Sequence, residues 1–475
     1  MQSTSRNGES CSTGFDRSGE CPAHIGYAST VSERYWITTL GCPKNDVDSQ
    51  KLVGRLTADG YEKAQLPGEA DLVVVNTCAF IESAREESIE TILELHRLRK
   101  PGSRLVVTGC LAERSGEELA AALDEVDLVA GFGVPVEMKT ARRVVRAEAT
   151  GAAQIGGEAP AISFDLLELP RPPAGAPWAY VKVAEGCDRR CGFCAIPSFR
   201  GKQRSRPLGS ILNEIEALGT REIVLIAQDL ASYGRDSTPA GGRRESSNPG
   251  IIELIEASAQ RVDRVRLLYL YPSSLDDRLI EAVVGTGIAY FDLSLQHASR
   301  PLLRKMRRWG DAERFRERIR RIRRLEPEAA LRSSFILGYP GETEEDHDEL
   351  LRFMEDVELD WAGFFTFSRE SGTLADGLGE QIPASLALER MQECSELQEA
   401  ITAKRRRRLV GTTCEVLVDK PGSARSYREA PEIDGVVRVP RSIPEGWIGE
   451  VRLVQAIGPD LEAVPISQLV DRVAL

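Results

Sequence analysis

The sequence predicts an α/β protein of three folded parts: an N-terminal open parallel sheet with helices, a central partial (β/α)6 barrel and a small C-terminal β-barrel. Two separate runs of alternating strands and helices predict the first two parts, because strands that alternate with helices pair in parallel. Short strand-like runs broken by Gly and Pro predict the third. The expected organisation is a tail over 1–32, an N-terminal domain over 33–150, a linker over 151–172, a core domain over 173–404 and a C-terminal module over 406–475.

In the N-terminal domain, Tyr35–Leu40 reads as a strand. Asn45–Asp59 reads as a helix, capped by Asn45 or Asp46 and stopped by Gly60. Asp71–Val75 is a short buried strand. Ile81, Ala84, Ile89, Ile92 and Leu93 give Phe80–Lys100 a helical apolar spacing, which Pro101-Gly102 ends. The strand Arg104–Thr108, a further helix and Asp127–Ala130 complete this part. Gly, Ala and Pro dominate 151–177, the composition of a linker. In the core, the candidate strands are Ala179–Val183, Glu222–Ala227, Val265–Leu270, Tyr290–Leu295, Leu331–Leu337 and Ala362–Phe367, and a helix over Pro383–Arg408 closes it. Glu415–Val418, Gly435–Val439 and Gly449–Ala456 are the short strands of the last module.

Composition narrows the function. The chain has 475 residues, with 61 Lys plus Arg against 73 Asp plus Glu, a net charge of −12. That balance does not suit phosphate contacts and does suit a basic partner. No apolar run reaches the roughly 18 residues of a membrane span, and 1–32 lacks the apolar core of a secretory signal. The expected location is the cytoplasm. Ten cysteines, spread through a long chain without an export signal, point to metal-binding or catalytic thiols in a reduced compartment.

The sharpest motif is Glu185-Gly186-Cys187-Asp188-Arg189-Arg190-Cys191-Gly192-Phe193-Cys194, with C-x3-C-x2-C spacing. Three thiolates on one loop can face one iron–sulfur cubane and leave one iron open. Structural zinc normally takes four ligands, and neither a fourth cysteine nor a histidine lies near this loop. A three-cysteine loop just after the first barrel strand resembles the radical SAM superfamily. In that family S-adenosylmethionine (SAM) chelates the open iron and is cleaved to a 5′-deoxyadenosyl radical. The resemblance extends to Gln228, in Ile226–Asp229, as a contact to the methionine part of SAM. It also extends to Gly338 and Pro340, in the glycine–proline turn at 336–343, near the adenine. An ordinary strand-to-helix turn explains the latter equally well. Arg200, Lys202, Arg204 and Arg206 fall on one face if their segment is extended. Arg204 is among the expected SAM contacts, because guanidinium pairs well with carboxylate; a solvated basic loop is the other reading.

Cys42, Cys78 and Cys110 each follow a predicted strand. Ligands gather beyond the carboxyl ends of parallel strands, so three cysteines in register there suggest a second metal site, although buried inert thiols are common. Leu40–Ser49, Asn76–Ile81 and Thr108–Leu111 resemble the N-terminal domain of the methylthiotransferases, radical SAM enzymes in which these cysteines hold a second cluster. The implied cofactors are two [4Fe-4S] clusters and SAM. Cys11, Cys21, Cys394 and Cys414 receive no role.

The Cys-Pro-Lys-Asn-Asp-Val-Asp-Ser stretch at 42–49, Gly186–Arg189, Phe193–Lys202 and Leu295–Ala298 resemble the branch that modifies ribosomal protein S12 rather than tRNA adenosine. That resemblance implies hydrogen abstraction from the β-carbon of an aspartate and addition of a methylthio group, with a one-electron reductant and a sulfur donor as further partners. The C-terminal module resembles a TRAM domain. Residues 409–475 carry 7 Lys plus Arg and 10 Asp plus Glu, a net −3, which fits a basic protein better than RNA. The run Lys404–Arg408 is read as a solvated helix terminus favoured by the helix dipole rather than as an RNA contact. Whether the module touches RNA stays open. The rivals are a tRNA adenosine methylthiotransferase and, from another class, a non-catalytic iron–sulfur carrier or scaffold. No early G-x-G-x-x-G or P-loop is present.

Overall fold

The computed structural model describes residues 32–136, 144–145, 165–236 and 249–466. The tail over 1–31 and most of the expected linker lie outside the described residues.

The first sheet contains β1 (Arg34–Thr39), β2 (Glu62–Lys63), β3 (Leu72–Thr77), β4 (Arg104–Gly109), β5 (Leu128–Ala130) and β6 (Val144–Val145) in the order β2-β1-β3-β4-β5-β6. Every pairing is parallel. β3 is buried along its whole length, as its Leu-Val-Val-Val run requires of a strand covered on both faces. Helices α1 (Pro43–Ala58), α2 (Glu82–Leu98) and α3 (Cys110–Ala122) connect the strands. The α1 helix starts two residues earlier than the sequence signals predict: Cys42 is the N-cap and Pro43 takes the first turn, where proline's missing N–H costs nothing. Asn45 is not the cap. Its buried side chain donates to the carbonyls of Leu40 (2.8 Å) and Thr77 (3.0 Å), tying β1 to β3.

The core sheet runs β7 (Trp178–Lys182), β10 (Glu222–Ile226), β11 (Arg264–Leu267), β12 (Tyr290–Gln296), β13 (Ala330–Leu337) and β14 (Trp361–Thr366), with a small two-stranded pair, β8 (Ala184–Glu185) and β9 (Arg204–Ser205), at its edge. Two three-stranded parallel sheets, β7-β10-β11 and β12-β13-β14, join through a parallel bridge between Leu270 and Leu293. The result is an open barrel in chain order. Its outer face and helices form one large apolar core including Val181, Ile223, Leu225, Phe291 and Phe335. The concave face is different. Tyr180, Val224, Leu268 and Tyr290 meet Val47 from α1 and Ala430 from the C-terminal module there, and charged side chains alternate with them.

The C-terminal module is a closed barrel of β15 (Thr413–Lys420), β16 (Ser423–Arg425), β17 (Val437–Arg438), β18 (Ile448–Ile457) and β19 (Asp460–Pro465). Ser423–Arg425 and Asp460–Pro465 were not among the predicted strands. Its 425–434 segment covers the start of the core strands. Glu222 is fully buried between Arg266 (2.8 Å) and Arg425 (3.0 Å), Tyr290 donates to Asp434 (2.6 Å), and Trp361 donates to the Arg428 carbonyl (2.7 Å). The basic run is solvated in part: Lys404, Arg407 and Arg408 are exposed, Arg405 is half-buried and Arg406 is buried. Lys404 and Arg408 pair with Glu358, Arg405 with Asp360 and Arg406 with buried Glu429. Arg406–Glu429 ties the end of the Ala384–Leu409 helix to the module and Arg405–Asp360 ties it to the core, while the outer cations stay in solvent. Residues 165–171 also pack rather than hang free: buried Lys51 donates to the carbonyls of Leu167 (2.7 Å) and Leu169 (2.9 Å), and Arg171 pairs with Glu214 at 2.9 Å. None of the described helices is long and apolar enough to cross a membrane.

Candidate active site

Cys78 and Cys110 directly follow β3 and β4, and Cys42 lies just past β1, after Leu40 and Gly41; the three strands are adjacent in the sheet. Two of them begin helices: Cys42 caps α1 and Cys110 opens α3, where the dipole and free N–H groups favour a thiolate, although burial outweighs this at Cys110 and raises its thiol. Cys78 is held by Ser88, whose hydroxyl accepts from the Cys78 N–H (3.1 Å) and donates to its carbonyl (2.9 Å). Close approach of the strand ends depends on glycine. A Cβ at Gly41 would lie 2.8 Å from the Cys78 sulfur, and one at Gly109 would lie 2.3 Å from Asn76 Oδ1; both have positive φ.

The second group lies on the loop after β8. Cys187 N–H donates to the Gly201 carbonyl (3.0 Å), and Cys194 N–H to that of Cys191 (3.2 Å). Cys187, Cys191 and Cys194 line one cavity of about 130 Å³ together with Gln228, Asp229, Tyr269, Tyr271, Gln296 and Arg308. Arg189 donates to Asp229 (2.6 Å) and lies 3.8 Å from the Tyr271 ring centre; Arg308 lies 4.1 Å from the same ring and donates to the Cys191 sulfur at 3.4 Å. Gln228 Oε1, Asp229 Oδ1 and Arg308 Nε are buried without a hydrogen-bond partner, which is costly unless a polar ligand completes them. Tyr269 and Gln296 adopt positive φ (66° and 75°), a strain that clusters at functional sites.

The electrostatics of both groups suit a cationic occupant. Burial pushes the Cys187 thiol up to about 11 and Cys194 up to about 12. Burial likewise pushes Cys78 up to about 11, with the charges of Cys110 and Cys42 adding to it. Cys42 is the exception: burial opposes ionisation, but Lys44, Arg200 and backbone N–H groups outweigh it and hold the thiol below its ordinary value. Bound metal relieves both burial and mutual repulsion by taking the thiolates. All eight described cysteines are free thiols. Among the described residues no three His, Cys, Asp or Glu side chains close on a single metal-ion position. A multi-iron cluster spreads its ligands over several metal atoms and does not need such closure.

A buried ionic chain joins the two groups. Arg200, at the end of the short helix α4 (Ile196–Arg200), donates to Cys110 Sγ (3.0 Å), Asn45 Oδ1 (2.8 Å) and Glu185 Oε1 (2.8 Å). Gln228 donates to the same Glu185 oxygen (2.8 Å), and Lys182 pairs with Asp48 (2.6 Å) and Glu185. Burial raises the Glu185 carboxyl, but Arg200 and Lys182 outweigh it and keep the group ionised.

The remaining expected contacts are placed differently. Arg204 is half-exposed and pairs through both guanidinium nitrogens with Asp165, outside the cavity lining. The segment is not uniformly extended: Arg200 ends a helix, and buried Arg206 pairs with Glu214 at 2.8 Å. Gly338 and Pro340 are buried. A Cβ at Gly338 would lie 2.5 Å from that of Ala387, so packing under the closing helix accounts for this glycine. Sequence reasoning missed Lys44, whose ammonium sits 3.3 Å from the Tyr269 ring centre, and Tyr269, Tyr271 and Arg308. The tyrosines follow β11, and their strand-end position was the available signal; Arg308 carried none.

Comparison with known proteins fits this arrangement. Residues 34–131 match the uncharacterized protein family UPF0004, 181–354 the radical SAM superfamily and 410–466 the TRAM domain. The chain is thus a radical SAM protein with an added N-terminal sheet and a TRAM module. The ribosomal protein uS12 methylthiotransferase RimO of Geobacter sulfurreducens is 40% identical over 431 residues, 86% of this chain and 93% of that protein. The Moorella thermoacetica protein of that name is 40% identical over 433 residues (89% and 96%), and that of Streptomyces coelicolor 38% over 484 residues (90% and 96%). The chain belongs to the family of ribosomal protein uS12 methylthiotransferases. It is a radical SAM methylthiotransferase, a transferase that uses an iron–sulfur cluster and SAM.

Proposed function

We propose that this enzyme adds a methylthio group to the β-carbon of an aspartate in ribosomal protein uS12. It holds one [4Fe-4S] cluster on Cys187, Cys191 and Cys194 and a second on Cys42, Cys78 and Cys110. The observation that carries the reading is the presence of two cysteine triads at the carboxyl ends of two parallel sheets, joined by the Arg200–Glu185 chain. When bound, the clusters and SAM supply the radical chemistry, the sulfur and the methyl group, which no side chain provides.

The chain's own groups bind and orient. Gln228, Asp229 and Arg308 present unpaired polar atoms to the cavity beside the three-cysteine loop, and these suit the amino and carboxylate groups of SAM. Tyr269 and Tyr271 wall the cavity. The acidic balance of the chain suits a basic ribosomal protein. A one-electron reductant and a sulfur donor complete the reaction.

Mass spectrometry after an anaerobic reaction tests the assignment. Reconstituted enzyme, reductant, SAM and sulfide are offered purified uS12 in one tube and bulk tRNA in another. A methylthio mass gain on a uS12 aspartate is expected. A gain on tRNA adenosine instead would overturn the substrate. Intact SAM in both tubes would overturn the catalytic reading in favour of an iron–sulfur scaffold.

A further inference from the structure

Arg200 belongs by sequence to the core domain, yet its guanidinium sits among residues of the N-terminal sheet. Only 3% of its side chain is exposed. Asn45 and Cys110 accept from one terminal nitrogen at 2.8 and 3.0 Å, and the Phe132 ring centre lies 4.6 Å from the guanidinium carbon. Its other terminal nitrogen donates to Glu185, two residues before Cys187. Glu185 in turn accepts from Gln228, which lines the cavity with all three loop cysteines. Asp48 and Lys182 complete the charged groups packed around it, with Asp48 3.7 Å from Arg200. An unbroken series of contacts of 3.0, 2.8 and 2.8 Å thus runs from the Cys110 sulfur to Gln228.

This is more than an interdomain ion pair needs. Lys182 and Arg200 together balance the buried charges of Glu185 and Asp48, and the Arg200 nitrogen that faces Glu185 is enough for that pairing. Arg200 commits its other terminal nitrogen to a cysteine sulfur and an amide oxygen. A guanidinium keeps its charge at any accessible pH, and its planar fork can hold two partners in fixed relation as an ammonium cannot. In a water-excluded site that charge acts on its neighbours with little screening.

We propose that Arg200 is a positioning residue that couples the two cysteine sites. It locks the Cys110 sulfur to the SAM-site loop through Glu185, and its fixed charge favours the reduced state of the cluster on Cys42, Cys78 and Cys110. The inference rests on the two-cluster reading above.

The test uses full-length enzyme in which Cys187, Cys191 and Cys194 are all replaced by Ala, so that only the N-terminal triad can hold iron. Iron per chain and the midpoint potential, read by electron paramagnetic resonance during a redox titration, are compared for this protein, its Arg200→Gln derivative and its Arg200→Lys derivative. Arg200→Gln is expected to make the potential more negative by about 60 mV, a tenfold change in the ratio of oxidised to reduced cluster for one electron. Arg200→Lys, which keeps the charge, is expected to recover most of that shift. Equal potentials in the parent and the Gln derivative would overturn the role of Arg200 alone. Absence of iron from the parent would overturn the two-cluster reading, and this inference with it.

Should the Gln derivative fail to fold, Arg200→Lys with all cysteines restored tests the positional half. Lysine cannot span Glu185 and Cys110 together, so methylthiolated product per deoxyadenosine is expected to fall about tenfold. An unchanged ratio would overturn the coupling.

Discussion

Cys187, Cys191 and Cys194 come from a single loop, whereas Cys42, Cys78 and Cys110 come from the ends of three strands. The loop carries its own geometry: backbone bonds between Cys194 and Cys191, and between Cys187 and Gly201, shape it from within. The N-terminal triad has no such local frame. It exists only because β1, β3 and β4 are neighbours in register, with Tyr35 opposite Leu72 and Val73 opposite Leu105. A local site can be transplanted or read as a motif. A site made of strand ends is as stable as the sheet that presents it.

Cysteine replacement is the largest effect expected and divides the two sites most sharply. Cys191→Ala should abolish deoxyadenosine formation, and Cys78→Ala should abolish methylthio product; each should lower bound iron by about half if both sites hold a cubane. Iron analysis with chromatography of deoxyadenosine and mass spectrometry of product checks both. Full product from Cys78→Ala would break the comparison, leaving the strand-end triad without a role.

Next comes the support beneath the core sheet, remote from both sites. Glu222→Gln leaves Arg266 and Arg425 buried around a neutral group and should cost about 3–5 kcal/mol in denaturant unfolding. Burial raises the Glu222 carboxyl, but Arg425 and Arg266 outweigh it and hold it at about 2, below its ordinary 4.5. The folded state therefore binds this proton less readily than the unfolded state. Its stabilisation is present above about pH 4.5 and is lost as pH falls toward 2. A pH series of melting temperatures should show that loss in the wild type and lack it in Glu222→Gln.

Gly109→Ala sharpens the comparison from the strand-end side. The residue has φ +91°, and its Cβ would meet Asn76 and the Thr77 backbone within 2.6 Å. A cost of about 3 kcal/mol is expected from backbone strain and the clash, with iron lost from the N-terminal triad before the loop site. Equal loss from both sites would show that the two are not independently framed.

The smallest effect belongs to Arg204→Ala. Its partner Asp165 shares a half-exposed pair with it, and such pairs contribute under about 1 kcal/mol. Calorimetric SAM affinity should be unchanged; a tenfold loss would restore Arg204 as a SAM contact.

Periodicity and punctuation alone made much legible. The core strands fall within a residue or a few of their predicted ends, because buried parallel strands are short apolar runs bounded by turns. That three cysteines share one loop was legible for the same local reason. Where the reading failed, a distant partner had decided the outcome. Asn45 reads as a cap, yet the carbonyls of Leu40 and Thr77 claim its side chain. Lys404–Arg408 reads as solvated, which holds for Lys404, Arg407 and Arg408, yet Glu429 draws Arg406 into the interior and Asp360 claims Arg405. Arg204 pairs with Asp165, 39 residues earlier, and Arg308, with no motif around it, reaches the Cys191 sulfur; nothing local announces either partner.

By itself, the sequence determined which segments are strands and helices, which thiols stand at strand ends and which loop gathers three of them. Those properties follow from short-range sterics, apolar spacing and covalent neighbours. Only the tertiary structure decided that the concave face of the core is closed by α1 and the 425–434 segment, and that Arg200 crosses from one domain to touch a cysteine of the other. A buried charge takes whichever opposite charge or polar atom the packed fold brings within about 3 Å, and no local pattern records that distance.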